Sequence, residues 1–293
     1  MADPTDPSDA ITWRALLAET AEALGDRHQA RWLCEAASGA AGEEFVPALD
    51  EPATLRMVGH LDTMLARFRG GEPLQYVLGS WQFRHLELMV DPRVLIPRPE
   101  TEWVCEAALG IARSIPAPRT IVDLGTGSGA IGLSLAYELP VGSTTVWLVD
   151  VSADALDVAR ANLAGVGRAA SAVRIAEGSW FDALPDSLRE SLDLVVANPP
   201  YIADDDPEME PAVREWEPHS ALFAGDDGLD DIRSIVSGGV RWIRPGGHLV
   251  LEIGHQQGAA VTALLRAADY ANIEVRPDLA GRDRIAIGRR AEQ

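Results

Sequence analysis

The strongest constraint on the fold is an alternation of strand-like and helix-like runs from Thr120 to the end of the chain. Ile121-Val122-Asp123-Leu124 predicts a strand, followed by a glycine-rich turn and a helix to about Leu139. Thr145–Asp150 predicts the next strand, and Ser152 the cap of a helix carrying Leu156, Ala159 and Leu163. Further strands are expected at 172–176, 192–197 and 248–253, with helices over 230–243 and 259–268. Repeated strand–helix units require a mostly parallel sheet covered on both faces. The last two strands, 273–275 and 285–287, leave no room for a crossover helix between them. They must form an antiparallel hairpin.

The first quarter of the chain follows another period. Trp13, Leu16, Leu17 and Leu24 fall on one helical stripe that Gly25 closes. A second helix is expected over 28–37 and a third over 52–68, the latter carrying Leu55, Val58, Leu61, Met64 and Leu65. With no strand signal among them, residues 1–75 predict a small helical bundle behind a frayed tail at 1–9. Over 76–96 the alternation of Trp81, Phe83, Leu86, Leu88 and Val90 predicts a β-hairpin linking the two parts. Pro97-Arg98-Pro99-Glu100 then leads into a helix starting near Thr101.

Composition narrows the chemistry. Of 293 residues, 45 are acidic and 25 basic, a formal charge of −20, and every basic residue is arginine. Without lysine there is no Schiff base, no lysine nucleophile and no P-loop. So negative a chain also opposes nonspecific binding to phosphate backbones, so no direct nucleic-acid partner is expected. Cys34 and Cys105 form no CxxC pair and read as buried thiols of a reducing compartment. The acidic, proline-rich start resembles neither a signal nor a transit peptide, and no apolar run approaches the roughly 18 residues of a membrane span. A cytoplasmic protein without a membrane partner is expected. The six histidines show no HExxH or other ligand spacing, so no metal is expected.

Two motifs carry the chemistry. Asp123-Leu124-Gly125-Thr126-Gly127-Ser128-Gly129-Ala130 follows a strand and opens a helix, where glycines let the backbone approach a ligand. Asp150 ends the next strand, 25 residues after Gly125, placed to accept hydrogen bonds from two ribose hydroxyls. This pair serves NAD and an adenosyl ligand equally well. Asn198-Pro199-Pro200-Tyr201 leaves the carboxyl end of the fourth strand, the edge at which open parallel sheets bind ligands. The prolines stiffen the turn and aim the Asn198 carboxamide and the Pro199 carbonyl at one spot. Two aimed acceptors suit a planar –NH2 group, with Tyr201 to pack against it. A nitrogen target beside an adenosyl cofactor points to methyl transfer from S-adenosylmethionine.

Together with Gly71–Tyr76, Leu95–Glu102, Trp180-Phe181, Glu217-Pro218 and Leu251–Gly254, these segments resemble, in order, those of the HemK/PrmC family. These are the protein-(glutamine-N5) methyltransferases of class 1 peptide chain release factors. The likeness runs from about Gly70 to the end. It implies a class I S-adenosylmethionine-dependent methyltransferase, a Rossmann-like seven-stranded α/β sheet with the last strand antiparallel. Residues 1–75 would be a helical substrate-recognition domain, 76–96 the hairpin linker and 97–293 the catalytic domain. It further implies that Gly125, Thr126, Gly127, Ser128 and Gly129 line the methionine and ribose of the cofactor, which leaves as S-adenosylhomocysteine. Asp150 would hold the ribose and Trp180 lie against the adenine, with Ser179 standing where the family often has Asp. Asn198 would touch both cofactor and substrate, and Asn198 and Pro199 would be catalytic, with Pro200 and Tyr201 completing the substrate site. A monomer acting on the Gly-Gly-Gln glutamine of release factors is expected.

Other readings are a ribosomal-protein glutamine methyltransferase, a nucleic-acid adenine methyltransferase, a non-catalytic cofactor-binding protein and an NAD dehydrogenase. Residues 204–231 hold eleven acidic side chains and one basic one, Arg214. A loop this acidic beside Asn198–Tyr201 disfavours a DNA duplex and favours a basic protein substrate.

Overall fold

The structure is a computed structural model that describes residues 11–207 and 209–292. The tail expected at 1–9 lies outside them. The chain divides into two compact units, Met1–Gly79 and Ser80–Gln293.

The first unit is helical: α1 (Trp13–Leu24), α2 (Arg27–Ser38), α3 (Phe45–Ala48), α4 (Leu55–Arg69) and α5 (Leu74–Leu78). Side-chain caps start the long helices: Thr12 accepts from the Ala15 N–H, Asp26 from those of His28 and Gln29, and Thr54 from that of Met57. Trp13, Leu16, Leu33, Phe45, Leu61 and Met64 form its core. Leu55, expected on the buried stripe of α4, is 92% exposed, because it is the first residue of that helix. Residues 76–78 belong to α5, and the hairpin expected from 76 starts only at Ser80.

The second unit opens with that hairpin, β1 (Ser80–Phe83) and β2 (Leu86–Met89), followed by α6 (Pro99–Ser114). Pro99 occupies the first turn of α6, where no backbone N–H is needed, and Glu100 and Glu102 face the positive end of the helix. Then come β3 (Arg119–Leu124), α7 (Ala130–Glu138), β4 (Thr144–Asp150), α8 (Ala153–Gly165), β5 (Val173–Glu177), β6 (Leu192–Ala197), α9 (Pro211–Trp216), α10 (Asp230–Gly239), β7 (Ile243–Glu252), α11 (Gly258–Ala267), β8 (Tyr270–Pro277) and β9 (Asp283–Arg290).

Seven of these strands form one sheet in the order β5-β4-β3-β6-β7-β9-β8. The first five are parallel, and β9 inserts antiparallel between β7 and β8. This is the class I methyltransferase arrangement, with the last strand reversed. Alternate side chains separate into two cores: Ile121, Leu194 and Val196 on one face, Val122, Val195 and Ala197 on the other. Register sets Leu124 beside both Val149 and Ala197. The loops after β3, β4 and β6 therefore emerge side by side. Several expected boundaries shift: α10 stops at Gly239, not 243, β7 starts at Ile243, not 248, and β8 and β9 run longer than the expected 273–275 and 285–287.

Candidate active site

At the carboxyl edge of the sheet lies a cleft of about 260 Å³. Of the site residues expected from the sequence, Gly125, Thr126, Gly127, Ser128, Asp150, Trp180, Asn198 and Pro200 line it. Gly129, Pro199 and Tyr201 do not. Gly129 instead starts α7 at φ +86°, where a Cβ would fall 2.7 Å from Leu133 Cδ1. Tyr201 turns its phenol into the protein, 3.3 Å from Glu252 Oε1.

The glycine-rich turn is held from both neighbouring strands. Asp123 Oδ2 accepts from the Thr126 hydroxyl at 2.6 Å and from the Gly132 N–H at 2.8 Å. Its Oδ1 is buried with no hydrogen-bond partner, and burial pushes the carboxyl up to about 6. Asp150 accepts from the Gly127 N–H at 2.8 Å and the Ser152 N–H at 2.9 Å, so one carboxylate ties the turn to the start of α8. Burial raises its pKa, and those two N–H groups oppose the rise. Gly125, at φ +68°, passes so close to Trp180 that a Cβ would lie 3.3 Å from its ring. Trp180 itself sits at φ +45°, a left-handed conformation costing a bulky residue about 1–3 kcal/mol.

A second wall comes from loops far apart in sequence. Arg93, Val94, Leu95 and Pro97 line the cleft, as do Pro218, Ser220 and Ala221. Buried Glu217 joins these two segments: its carboxylate accepts from the Ile96 N–H at 3.1 Å and pairs with Arg98. Asp231, at the start of α10, also lines the cleft and hydrogen-bonds Trp180. It brings a carboxylate to the wall where Ser179 has none.

Another part of the cleft is built on Asn198. Its Nδ2 donates to Thr101 Oγ1 at 3.3 Å, and the Thr101 hydroxyl donates to Glu252 Oε2 at 2.7 Å. Asn198 Oδ1 takes no hydrogen bond among the described residues, and the Pro199 carbonyl accepts no backbone N–H among them. Asn198, which lines the cleft, thus keeps its oxygen unpartnered, whereas Pro199, expected as a second acceptor, is buried outside the lining.

The lining fits an adenosyl amino acid. The turn and Asp150 match an adenosine, the unpaired Asp123 oxygen an ammonium, and Arg93, the one cation in the lining, a carboxylate. Among the described residues, no cluster of three or more His, Cys, Asp or Glu could hold a metal ion. No described helix is long and apolar enough to cross a membrane.

Residues 9–79 match the PrmC N-terminal domain, and residues 110–214 the Methyltransferase small domain. A release factor glutamine methyltransferase of Burkholderia pseudomallei is 41% identical over 97% of this chain and 98% of its own. The chain belongs to the release factor glutamine methyltransferase family. A second member, from Vibrio cholerae, is 42% identical over 78% of this chain and 77% of its own. A methyltransferase of known structure from Pyrococcus furiosus shares the fold, with a TM-score of 0.51 at 14% identity, over 78% of this chain and 99% of its own.

Within the family fold, sequence reasoning missed the roles of Thr101, Glu217, Asp231 and Glu252. Thr101, Glu217 and Glu252 stood inside quoted motifs, but their partners lie 97, 121 and 151 residues away. A signal existed for Glu252: a carboxylate closing an apolar strand, Leu249-Val250-Leu251-Glu252, must be buried and paired.

Proposed function

We propose that the protein transfers the methyl group of S-adenosylmethionine to the side-chain amide nitrogen (N5) of the glutamine in the Gly-Gly-Gln motif of class 1 peptide chain release factors. The observation that carries this reading is the Asn198 carboxamide, anchored through its nitrogen to Thr101 with its oxygen left for a donor at the cleft. Gly125–Ser128, Asp150 and Trp180 would hold the cofactor, with Asp231 beside the adenine. When bound, S-adenosylmethionine supplies a sulfonium methyl, and the transfer leaves S-adenosylhomocysteine. The N-terminal helical unit takes the role of release-factor recognition, supported by its match to the PrmC N-terminal domain. A cytoplasmic monomer suits a substrate of the translation machinery.

The chain's own contribution is to bind, aim and polarise. An amide nitrogen is a poor nucleophile because its lone pair is delocalised into the carbonyl. Asn198 Oδ1 accepts an N–H of that amide, which returns electron density to nitrogen and fixes its lone pair toward the methyl. Nitrogen forms the new bond to carbon, the carbon–sulfur pair departs with sulfur, and the nitrogen then loses a proton to water. Positioning alone can contribute about 7–11 kcal/mol. No strong base is needed before transfer, because the methylated nitrogen is acidic.

The test is transfer of radiolabelled methyl from S-adenosylmethionine to a purified release factor, beside a release factor whose Gly-Gly-Gln glutamine is changed to alanine. Label on the first and none on the second is expected. Equal label on both overturns the target. No label on either, with cofactor binding shown by calorimetry, overturns the substrate and makes a ribosomal protein the next to try.

A further inference from the structure

Behind Asn198 lies a polar chain that the transfer mechanism does not use. Glu252 and Thr101 are 1% and 4% exposed, so their hydrogen bonds are made within the protein. The Thr101 hydroxyl carries one hydrogen, and it is given to Glu252 Oε2. Its oxygen can then only accept, and it accepts from Asn198 Nδ2. The other Glu252 oxygen accepts from the Tyr201 hydroxyl, which in turn takes an N–H from Arg284 at 3.4 Å. An ionised carboxylate has no proton to donate, so the whole chain runs in one direction.

We propose that Glu252 is a positioning residue that, through Thr101, sets which end of the Asn198 carboxamide faces the substrate. The inference rests on the methyl-transfer reading above. With Glu252 ionised, the Asn198 –NH2 is tied inward and Oδ1 faces the cleft as an acceptor. With a proton on Oε2, Glu252 donates to Thr101, whose own hydrogen is freed toward Asn198. The favoured partner is then Oδ1, and the carboxamide turns its –NH2 outward. Donor would meet donor at the substrate amide.

The surroundings of Glu252 put this change within reach of neutral pH. Burial and Glu100 of α6 raise its pKa, whereas the Thr101 and Tyr201 hydroxyls and Arg284 of β9 lower it, and the balance leaves it at about 7. The charge of Arg98 also acts on Tyr201.

The chain holds only three asparagines, Asn162, Asn198 and Asn272, so protein labelled with 15N-asparagine shows three side-chain amide pairs. In wild type without substrate, the Asn198 pair is expected to titrate with a midpoint of about 7. Turnover falls tenfold per pH unit below that midpoint. In Glu252→Gln the new amide donates to Thr101 at every pH, so the Asn198 signal becomes independent of pH. Its kcat is expected to drop at least ~30-fold, with the dissociation constant for S-adenosylmethionine within about threefold of wild type. Thr101→Val should lose turnover similarly, and Thr101→Ser, which keeps the hydroxyl, should retain it. An Asn198 signal unmoved between about pH 5.5 and 8.5 in wild type, or wild-type turnover in Glu252→Gln, overturns the proposal. The titration needs no substrate: if it appears while release factor goes unmethylated, the substrate reading has failed and the orienting role stands.

Discussion

Asp123 and Glu252 are both buried carboxyls at the carboxyl ends of strands in one sheet, and both are pushed up in pKa by burial. They differ in what holds them. Asp123 is held by Thr126 and Gly132, three and nine residues along the chain, so its partners all come from one strand–turn–helix unit. Glu252 is held by Thr101 and Tyr201, 151 and 51 residues away, from a helix start and a loop that meet only in the folded sheet. The first network shapes the turn that would cradle a cofactor. The second holds the Asn198 carboxamide, which in the proposed function would be aimed at the substrate. Local chain geometry can prepare a binding surface, whereas orienting a single carboxamide takes partners from several elements.

If the two ends are separable, they fail separately. Asn198→Ala removes an aimed acceptor, so turnover should fall by at least about 10²-fold. Calorimetry should find S-adenosylmethionine binding nearly intact. Asp150→Ala should do the reverse. It releases the Gly127 and Ser152 N–H groups and removes a charged acceptor, worth about 1.5–3 kcal/mol, or roughly 10- to 100-fold in cofactor affinity. Equal loss of cofactor affinity in both variants would break the distinction.

The same contrast explains what was legible in the sequence. The turn after β3, Asp150 and the Ser152 cap were readable because each is set by neighbours in the chain, as was β6 with its six-residue apolar-rich run. The path of β7 was not. Arg244-Pro245-Gly246-Gly247 reads as a loop, but the fold carries it as strand, with a shift in register against β6 and with Arg244 bound to Asp193. Gly238-Gly239 ends α10 where the apolar period alone carried the helix on to 243. Tyr76-Val77-Leu78 has strand-like side chains, but Pro73 and Gly79 bracket it as a helical turn. Helix α9 was hidden in the acidic run, with Pro211 at its first turn. Thr101, Glu217 and Glu252 were visible as letters and not as contacts.

Stability sharpens the comparison at smaller scale. Both carboxyls hold a proton in the folded state at pH values where the unfolded chain has released it. Between about pH 5 and the folded values of about 6 for Asp123 and 7 for Glu252, stability therefore falls as pH rises. Each group tilts it by up to about 1.4 kcal/mol per pH unit. Carboxyls with lowered pKa, such as Glu138 beside Arg84, lose their stabilising contribution only at more acid pH. Urea unfolding at stepped pH should show this fall, and Glu252→Gln should flatten its upper part. A variant that loses turnover and gains stability above pH 7 has lost an orienting charge, whereas a residue needed mainly for folding would lose both.

The acidic rim gives the smallest effect, and the structure explains why it is smaller than the count of charges suggests. Of the acidic side chains between 204 and 231, Glu217 is buried on Arg98, and Asp227 and Asp230 share Arg233. Their fields are largely cancelled at short range. Asp231 lies in the cleft wall on Trp180, and the exposed charge of Asp204, Asp205, Glu210, Glu215 and Asp226 is screened by salt over about 10 Å at 0.1 M. If a basic release-factor surface approaches this rim, raising ionic strength should increase the KM for the protein substrate by only a few-fold. Cofactor affinity, which on the proposed reading would depend on Asp150 bound to two backbone N–H groups inside the cleft, should hardly respond. Steady-state kinetics at two salt concentrations, varying each substrate in turn, measures both. A protein KM indifferent to salt removes the rim from substrate recognition, and a salt-sensitive cofactor affinity would mean that the cleft is electrostatically open to solvent.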